Sequence, residues 1–289
     1  MNEPAHLRIG ALSRKVGVSP ELLRAWEQRY GLLQPVRSAG GFRLYSTADE
    51  ERVRSMRRHL EAGVSAAQAA RLALFEAQQD DQEQPAGLTR LSSDLRAALD
   101  RLDEPGAHAA VDRLLAAFTL QTVLRDVVLP YLYALGERWE QGEVSVAQEH
   151  FASNVLRGRL LGLARGWGHG SGPSIVLACA PGELHDLPLI IFGLALAARG
   201  WRITYLGPDT PIATIQETLT HVEPRLVVIT AVTLRRLRSV KPHLRELARQ
   251  VPLALAGAGA SEALARDVGA SVLGNDPVTA AERLDGERR

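Results

Sequence analysis

The last two fifths of the chain most narrowly limit what it can fold into. After GHGSGP (Gly168–Pro173), four short apolar runs, SIVLACA, RITYL, RLVVITAV and PLALAG, alternate with helix-like stretches beginning near Leu187, Pro211, Val240 and Glu262. Runs this short and this rich in Val, Ile and Leu read as strands buried on both faces, and strands joined by helices pair in parallel. The pattern predicts a doubly wound, flavodoxin-like (Rossmann-like) sheet over residues 171–289. Ligands of such sheets sit in the crevice at the carboxyl ends of the strands, so the loops that follow the strands are where chemistry is expected.

Upstream the hydrophobic period changes. Residues 88–170 carry apolar side chains at helical spacing with few glycines, which predicts a four-helix bundle. Before it, QQDDQEQPAG (Gln78–Gly87) is polar, has nothing to bury and reads as a linker. The first 77 residues are Arg-rich. Up to Phe75 there are twelve Lys and Arg against seven Asp and Glu, although the whole chain has a net charge of only +1. A basic head on a mildly acidic body is the footprint of a domain that meets phosphate.

Cys179 is the only cysteine, which excludes an intrachain disulfide and a cysteine-based zinc site. The N-terminus lacks an apolar signal core and no apolar run approaches membrane-spanning length, so a cytoplasmic, nucleoid-associated protein is expected. The histidines lack zinc spacing, and there is no Gly-x-Ser-x-Gly or P-loop, so no enzyme is expected.

In the head, RIGALSRKVGVSPELLRAWEQRYGL divides into two short helices around Gly17, about Ile9–Val16 and Pro20–Tyr30. Ser19 is a good N-cap, Pro20 suits the first helical position and Gly31 ends the helix. The second helix offers Arg24, Gln28, Arg29 and Tyr30 to a major groove. In PVRSAGGFRLYS, Gly40-Gly41 signals a hairpin flanked by Arg37 and Arg43, a wing with Phe42 and Arg43 near the minor groove and Tyr45 at its base. Ser46 caps a helix over Thr47–Glu61, and another follows at about Ala66–Phe75. The string from Ile9 to Ser46, with its LRxWExRYG helix and RxxGGxRxYS wing, resembles the winged helix-turn-helix head of the MerR family. That resemblance implies dimeric binding to a palindromic operator in double-stranded DNA at a promoter, where RNA polymerase is the neighbouring partner.

In the bundle, GERWEQGEVSVAQEHFAS (Gly136–Ser153) spaces Trp139 nine residues before Glu149-His150. By residue type alone, Trp139 reads as core and His150 as a surface histidine. The Trp-x9-Glu-His spacing, however, resembles the helical cap of the CarH/LitR-type MerR regulators, adenosylcobalamin-dependent light sensors. The resemblance implies that Trp139 shields the adenosyl group while Glu149 and His150 line its pocket. Those sensors carry a histidine directly after the Trp, which ligates cobalt once light expels the adenosyl group; here the position is Glu140, a harder and weaker partner for cobalt(III), and His150 is the nearby imidazole.

In the loop after the first sheet strand stand Glu183, His185 and Asp186. Imidazole suits cobalt, and a neighbouring carboxylate is the usual device for orienting it. The loop resembles the cobalamin-binding Asp/Glu-x-His-x-x-Gly motif, which implies His185 as the lower axial ligand to cobalt, tuned by Glu183 or Asp186; the motif glycine is replaced by Pro188. By the same resemblance Gly207–Thr210 caps the next helix, Thr230 and Thr233 stand beside the nucleotide tail, and Gly257 and Gly259 let that tail thread into the sheet. The basic stretch TLRRLRSVK reads as a solvated loop.

The expectation is therefore a homo-oligomeric DNA-binding regulator, a repressor, that senses light through bound adenosylcobalamin. Two alternatives stay open: a regulator whose degenerate cobalamin domain acts without cofactor or holds a bilin through Cys179, and a corrinoid-carrying enzyme subunit.

Overall fold

The computed structural model describes residues 7–38 and 41–286, with the side chains of 78–85 outside the description. Its contacts fall into two compact units, Met1–Thr89 and Arg90–Arg289.

In the first unit α1 (Ile9–Val16) ends at Gly17 in the left-handed conformation, and Ser19 accepts the Leu22 N–H to start α2 (Pro20–Tyr30). The antiparallel strands β1 (Val36–Arg37) and β2 (Arg43–Leu44) follow, pairing Val36 with Leu44 and Arg37 with Arg43. Gly40 of the expected turn lies outside the described residues. Ser46 and Asp49 close a reciprocal capping box on α3 (Thr47–Glu61), which satisfies two orphan N–H groups at once. Leu12, Leu23, Trp26, Leu32, Tyr45, Val53 and Met56 form the core between these elements.

The next helix is α4 (Ala66–Asp100), far longer than the Ala66–Phe75 segment expected. It runs through the stretch read as a linker. Gln and Glu are strong helix formers, so a polar run can continue a helix that apolar sequence has begun.

In the second unit the end of α4 joins α5 (Glu104–Ala117), α6 (Leu120–Thr122), α7 (Leu129–Glu140) and α8 (Val146–Leu163) in the expected bundle. A π-helical turn at Val123–Val128 connects α6 to α7, with the Leu129 N–H donating to the Leu124 carbonyl. Pro130 accounts for it: a proline lacks the N–H that a regular helix needs there, and the widened turn absorbs the mismatch.

The sheet contains β3 (Ser174–Cys179), β4 (Arg202–Gly207), β5 (Leu226–Thr230), β6 (Leu253–Ala256) and a short β7 (Ser271–Val272) that the sequence did not announce. All are parallel, in the order β4-β3-β5-β6-β7, which is the flavodoxin-like winding. Its helices are α9 (Leu187–Ala197), α10 (Ile212–Val222), α11 (Leu234–Ser239), α12 (Lys241–Gln250), α13 (Glu262–Val268) and α14 (Pro277–Gly286). Val176, Ala178, Val227, Ile229 and Leu255 face α10, α12 and α13 in one core. On the other face α9, apolar on every side, lies between the sheet, α14 and bundle helix α8. The stretch TLRRLRSVK is not a loop: Leu234 and Leu237 fall on one helical face, and burying Leu237 seats α11.

Among the described residues no helix is long and apolar enough to cross a membrane.

Candidate functional site

The winding reverses between β3 and β5, so their carboxyl ends form the crevice. The β3–α9 loop places Glu183 there, fully buried, and His185 beside it with its side chain 66% exposed. One Glu183 oxygen, Oε1, accepts the His185 N–H at 3.0 Å and its Nδ1 at 2.6 Å. The other, Oε2, accepts the Val232 N–H at 2.8 Å and the Arg236 guanidinium at 2.6 Å. Burial by itself would raise this carboxyl's pKa; the N–H groups of His185 and Val232, the His185 ring and Arg236 outweigh it and hold Glu183 below its ordinary value. The consequence is a fixed tautomer. With Nδ1 donating to Glu183, a lone pair remains on Nε2 of this exposed ring, the atom left available to a metal.

Asp186, next in the chain, turns its carboxylate to other partners. Its buried carboxylate takes the Arg157 Nε at 3.0 and 2.8 Å and the Tyr205 hydroxyl at 2.6 Å. The loop itself is clasped from β4: Asp209 accepts the Gly182 N–H at 2.6 Å and donates its own N–H to the Glu183 carbonyl at 2.8 Å. Thr210 bonds back to the Gly207 carbonyl. Pro188 is exposed in the first turn of α9, where no N–H is needed.

Thr230 ends β5 and is buried, while Thr233 is exposed before α11. Gly257, at φ +82°, and Gly259 press on that loop: a Cβ on Gly257 would lie 2.6 Å from the Ala231 carbonyl oxygen, and one on Gly259 2.4 Å from the Thr233 carbonyl carbon. Both glycines are thus required by the close approach of neighbouring backbones.

Trp139, half-exposed at the end of α7, and Glu149-His150, in the first turn of α8, come from the bundle. Glu149 accepts from Ser153 at 2.7 Å and lies 2.5 Å from the His150 Nδ1. Burial pushes its pKa up, but the hydrogen bonds with His150 and Ser153 outweigh it and bring it below the ordinary value. Leu184 and Val232 are strongly exposed apolar side chains flanking His185 in sequence and in its hydrogen-bond network. Cys179 is buried, and desolvation first, with the Asp186 and Glu183 charges next, pushes its thiol up to about 12; such a thiol is inert toward a bilin.

In the head, Arg24, Gln28 and Arg29 are exposed on α2, with Tyr30 partly buried and the Arg29 guanidinium 5.6 Å from its ring. On the wing Arg37 and Phe42 are exposed, and Arg8 lies over the Phe42 ring at 4.4 Å. Tyr45 is completely buried, so it holds the wing rather than offering a DNA contact: its hydroxyl donates to Glu27 at 2.9 Å. The same carboxylate takes the Arg43 Nε at 3.0 Å, pinning the wing to α2. Nothing in the sequence assigns a role to Glu27, Tyr205 or Arg236. The Glu of WExRYG was the one available signal among them.

A family model described as MerR HTH family regulatory protein matches residues 7–75, and two described as B12 binding domains match residues 91–161 and 173–283. The chain is 32% identical over 259 residues to the HTH-type transcriptional repressor CarH of Myxococcus xanthus, covering 86% of each. It is 32% identical over 264 residues to the repressor CarA of the same organism, covering 89% of this chain and 88% of that one. Among solved structures, the Methanosarcina barkeri monomethylamine corrinoid protein superposes with a TM-score of 0.58 at 18% identity, over 69% of this chain and 99% of that one, a likeness of fold.

Proposed function

Because the chain belongs to the CarH type of MerR transcription regulators, we propose that the cobalamin it binds is the adenosyl form and that light acting on it sets operator occupancy. The protein is a cobalamin-binding, DNA-binding regulator and not an enzyme, as its repressor relatives along nearly the whole chain establish. The cofactor part of this reading is supported by one observation: an exposed imidazole held by a buried carboxylate at the switch point of the sheet.

The residues fit a corrinoid. His185 supplies a single imidazole, as suits a metal whose in-plane ligands come with a macrocycle. Exposed Leu184 and Val232 give that macrocycle an apolar bed, and Glu183 orients the ligand. In this assignment His185 would hold the cobalt, and Thr230, Thr233, Gly257 and Gly259 would border the nucleotide tail. Trp139, Glu149 and His150 form a lid from the bundle. Bound adenosylcobalamin supplies a cobalt–carbon bond that light breaks. In this reading the lid would then loosen, and the dark oligomer, a dimer or tetramer that represses at a promoter in the cytoplasm, would separate. Arg24, Gln28, Arg29, Arg37, Phe42 and Arg43 face the operator, with RNA polymerase as the competing partner. Such coupling requires that the assembled and dispersed states differ in affinity for the cofactor.

The test is absorbance of the purified protein with adenosylcobalamin before and after green light, with size-exclusion in parallel. A histidine-ligated spectrum and a light-dependent change in size are expected. Binding without a size change refutes the light switch, and an unchanged spectrum in His185→Ala refutes the ligand assignment.

A further inference from the structure

Asp186 breaks a local rule. It stands at the N-cap of α9, where an aspartate normally accepts a backbone N–H of the first turn, yet it makes no such bond. Its carboxylate, almost fully buried, is instead held by Arg157 of α8, with Nε at 3.0 and 2.8 Å and a terminal guanidinium nitrogen at 2.8 Å, and by the Tyr205 hydroxyl of β4 at 2.6 Å. A forgone cap and a carboxylate buried against a half-exposed arginine are both unfavourable unless something is gained by joining these elements there.

What is joined is specific. Asp186 follows His185 directly, so its position sets the backbone from which the imidazole projects. Arg157 lies on the same face of α8 as Ser153 and Glu149, one and two turns toward the N-terminus. Ser153 holds Glu149, which in turn holds His150. One helical face therefore runs from the His185 loop to the first turn of α8. Tyr205 fixes the third side, and its ring meets Trp167 edge-on at 5.5 Å between centroids.

We propose that the Arg157–Asp186–Tyr205 cluster is the joint that sets α8 against the His185 loop, so that a displacement at His185 is transmitted to the lid residues in the first turn of α8. In this proposal Arg157 and Tyr205 act as positioning residues through Asp186. The inference rests on reading Trp139, Glu149 and His150 as a lid. A second polar cluster also joins bundle to sheet, where Arg199 and Gln121 meet Glu282 of α14, and it lies on other elements. It supplies the control.

Arg157→Met, Tyr205→Phe and Glu282→Gln are compared with wild type in the full-length chain loaded with adenosylcobalamin. The visible spectrum reports ligation by His185, and amide hydrogen exchange over residues 141–149 reports the lid. In wild type, loading slows that exchange by about tenfold or more. Arg157→Met is expected to keep the ligated spectrum and lose the protection, Tyr205→Phe to lose part of it, and Glu282→Gln to keep both. Full protection in Arg157→Met and Tyr205→Phe overturns the inference, as does an equal loss in Glu282→Gln, which would make the cluster one weld among others. A wild type that ligates cobalamin with no protection of 141–149 refutes the lid reading itself, and the inference with it.

Discussion

Replacing Glu183 by glutamine keeps the shape of the side chain and halves its ability to accept. The carboxylate faces two donors at each oxygen: the His185 N–H and Nδ1 on one side, the Val232 N–H and Arg236 on the other. An amide has one oxygen and one NH2, so either orientation turns the NH2 toward a pair of donors. If it faces Val232 and Arg236, a buried backbone N–H loses its partner and the ion pair is lost, each worth about 1–3 kcal/mol. The sum is a destabilisation of about 3 kcal/mol, in the range for breaking a buried pair. If the NH2 faces His185 instead, the cost is similar and the imidazole loses its orientation, which should weaken cobalamin binding by about 10–100-fold. Urea denaturation of the apo protein, fitted to the 90–289 unit, should show the midpoint falling by about 1 M for a slope near 3 kcal/mol/M. The pH dependence has a definite sign. The folded pKa of Glu183 lies below 4.5, so its charged form stabilises above pH 4.5 and that contribution is lost as the pH falls through the folded value. The gap between wild type and Glu183→Gln should accordingly narrow in acid. A midpoint within about 0.2 M of wild type at pH 7, with unchanged cobalamin affinity, would refute the argument that this carboxylate organises the loop.

Gly259→Ala puts a methyl group 2.4 Å from the Thr233 carbonyl carbon and 2.8 Å from the Leu234 nitrogen, both main-chain atoms that cannot swing aside. Overpacking of this kind costs about 2 kcal/mol, or a melting temperature lower by about 5 °C, whereas Gly274→Ala, with open space around it, should be near neutral by differential scanning calorimetry. Trp139→Ala should leave stability within about 0.5 kcal/mol because the ring is half-exposed. If the indole covers the adenosyl group, the same variant should bind adenosylcobalamin about tenfold more weakly while binding hydroxocobalamin as before, as read by absorbance titration. Arg24→Ala, at an exposed position of α2, should lower the slope of log affinity against log salt by about 1 on a duplex of arbitrary sequence, measured by fluorescence anisotropy. An unchanged slope would remove Arg24 from the phosphate-facing surface.

The sequence determined those features whose causes lie within a few residues. Ser19 with Pro20, Gly17, Gly31 and the Ser46–Asp49 box set the helix ends of the head, since capping is a contact between near neighbours. The Val- and Ile-rich runs announced four of the five strands, and the Glu-x-His pattern, through its resemblance, singled out His185. Short elements with little to bury were less legible: β7 is two residues long, and α11 was concealed by its arginines. The polar stretch at 78–87 reads as a linker because it offers almost nothing apolar, yet its Gln and Glu favour the helix that forms there. Only the tertiary structure decided which charges meet. Arg236 reaches Glu183 across 53 positions, Tyr205 reaches Asp186 across 19 and Arg157 across 29, and Tyr45 finds Glu27 across 18. A buried carboxylate takes whichever donors the packed elements bring to it. That choice is fixed when helices and strands converge, and no local pattern in the chain records it.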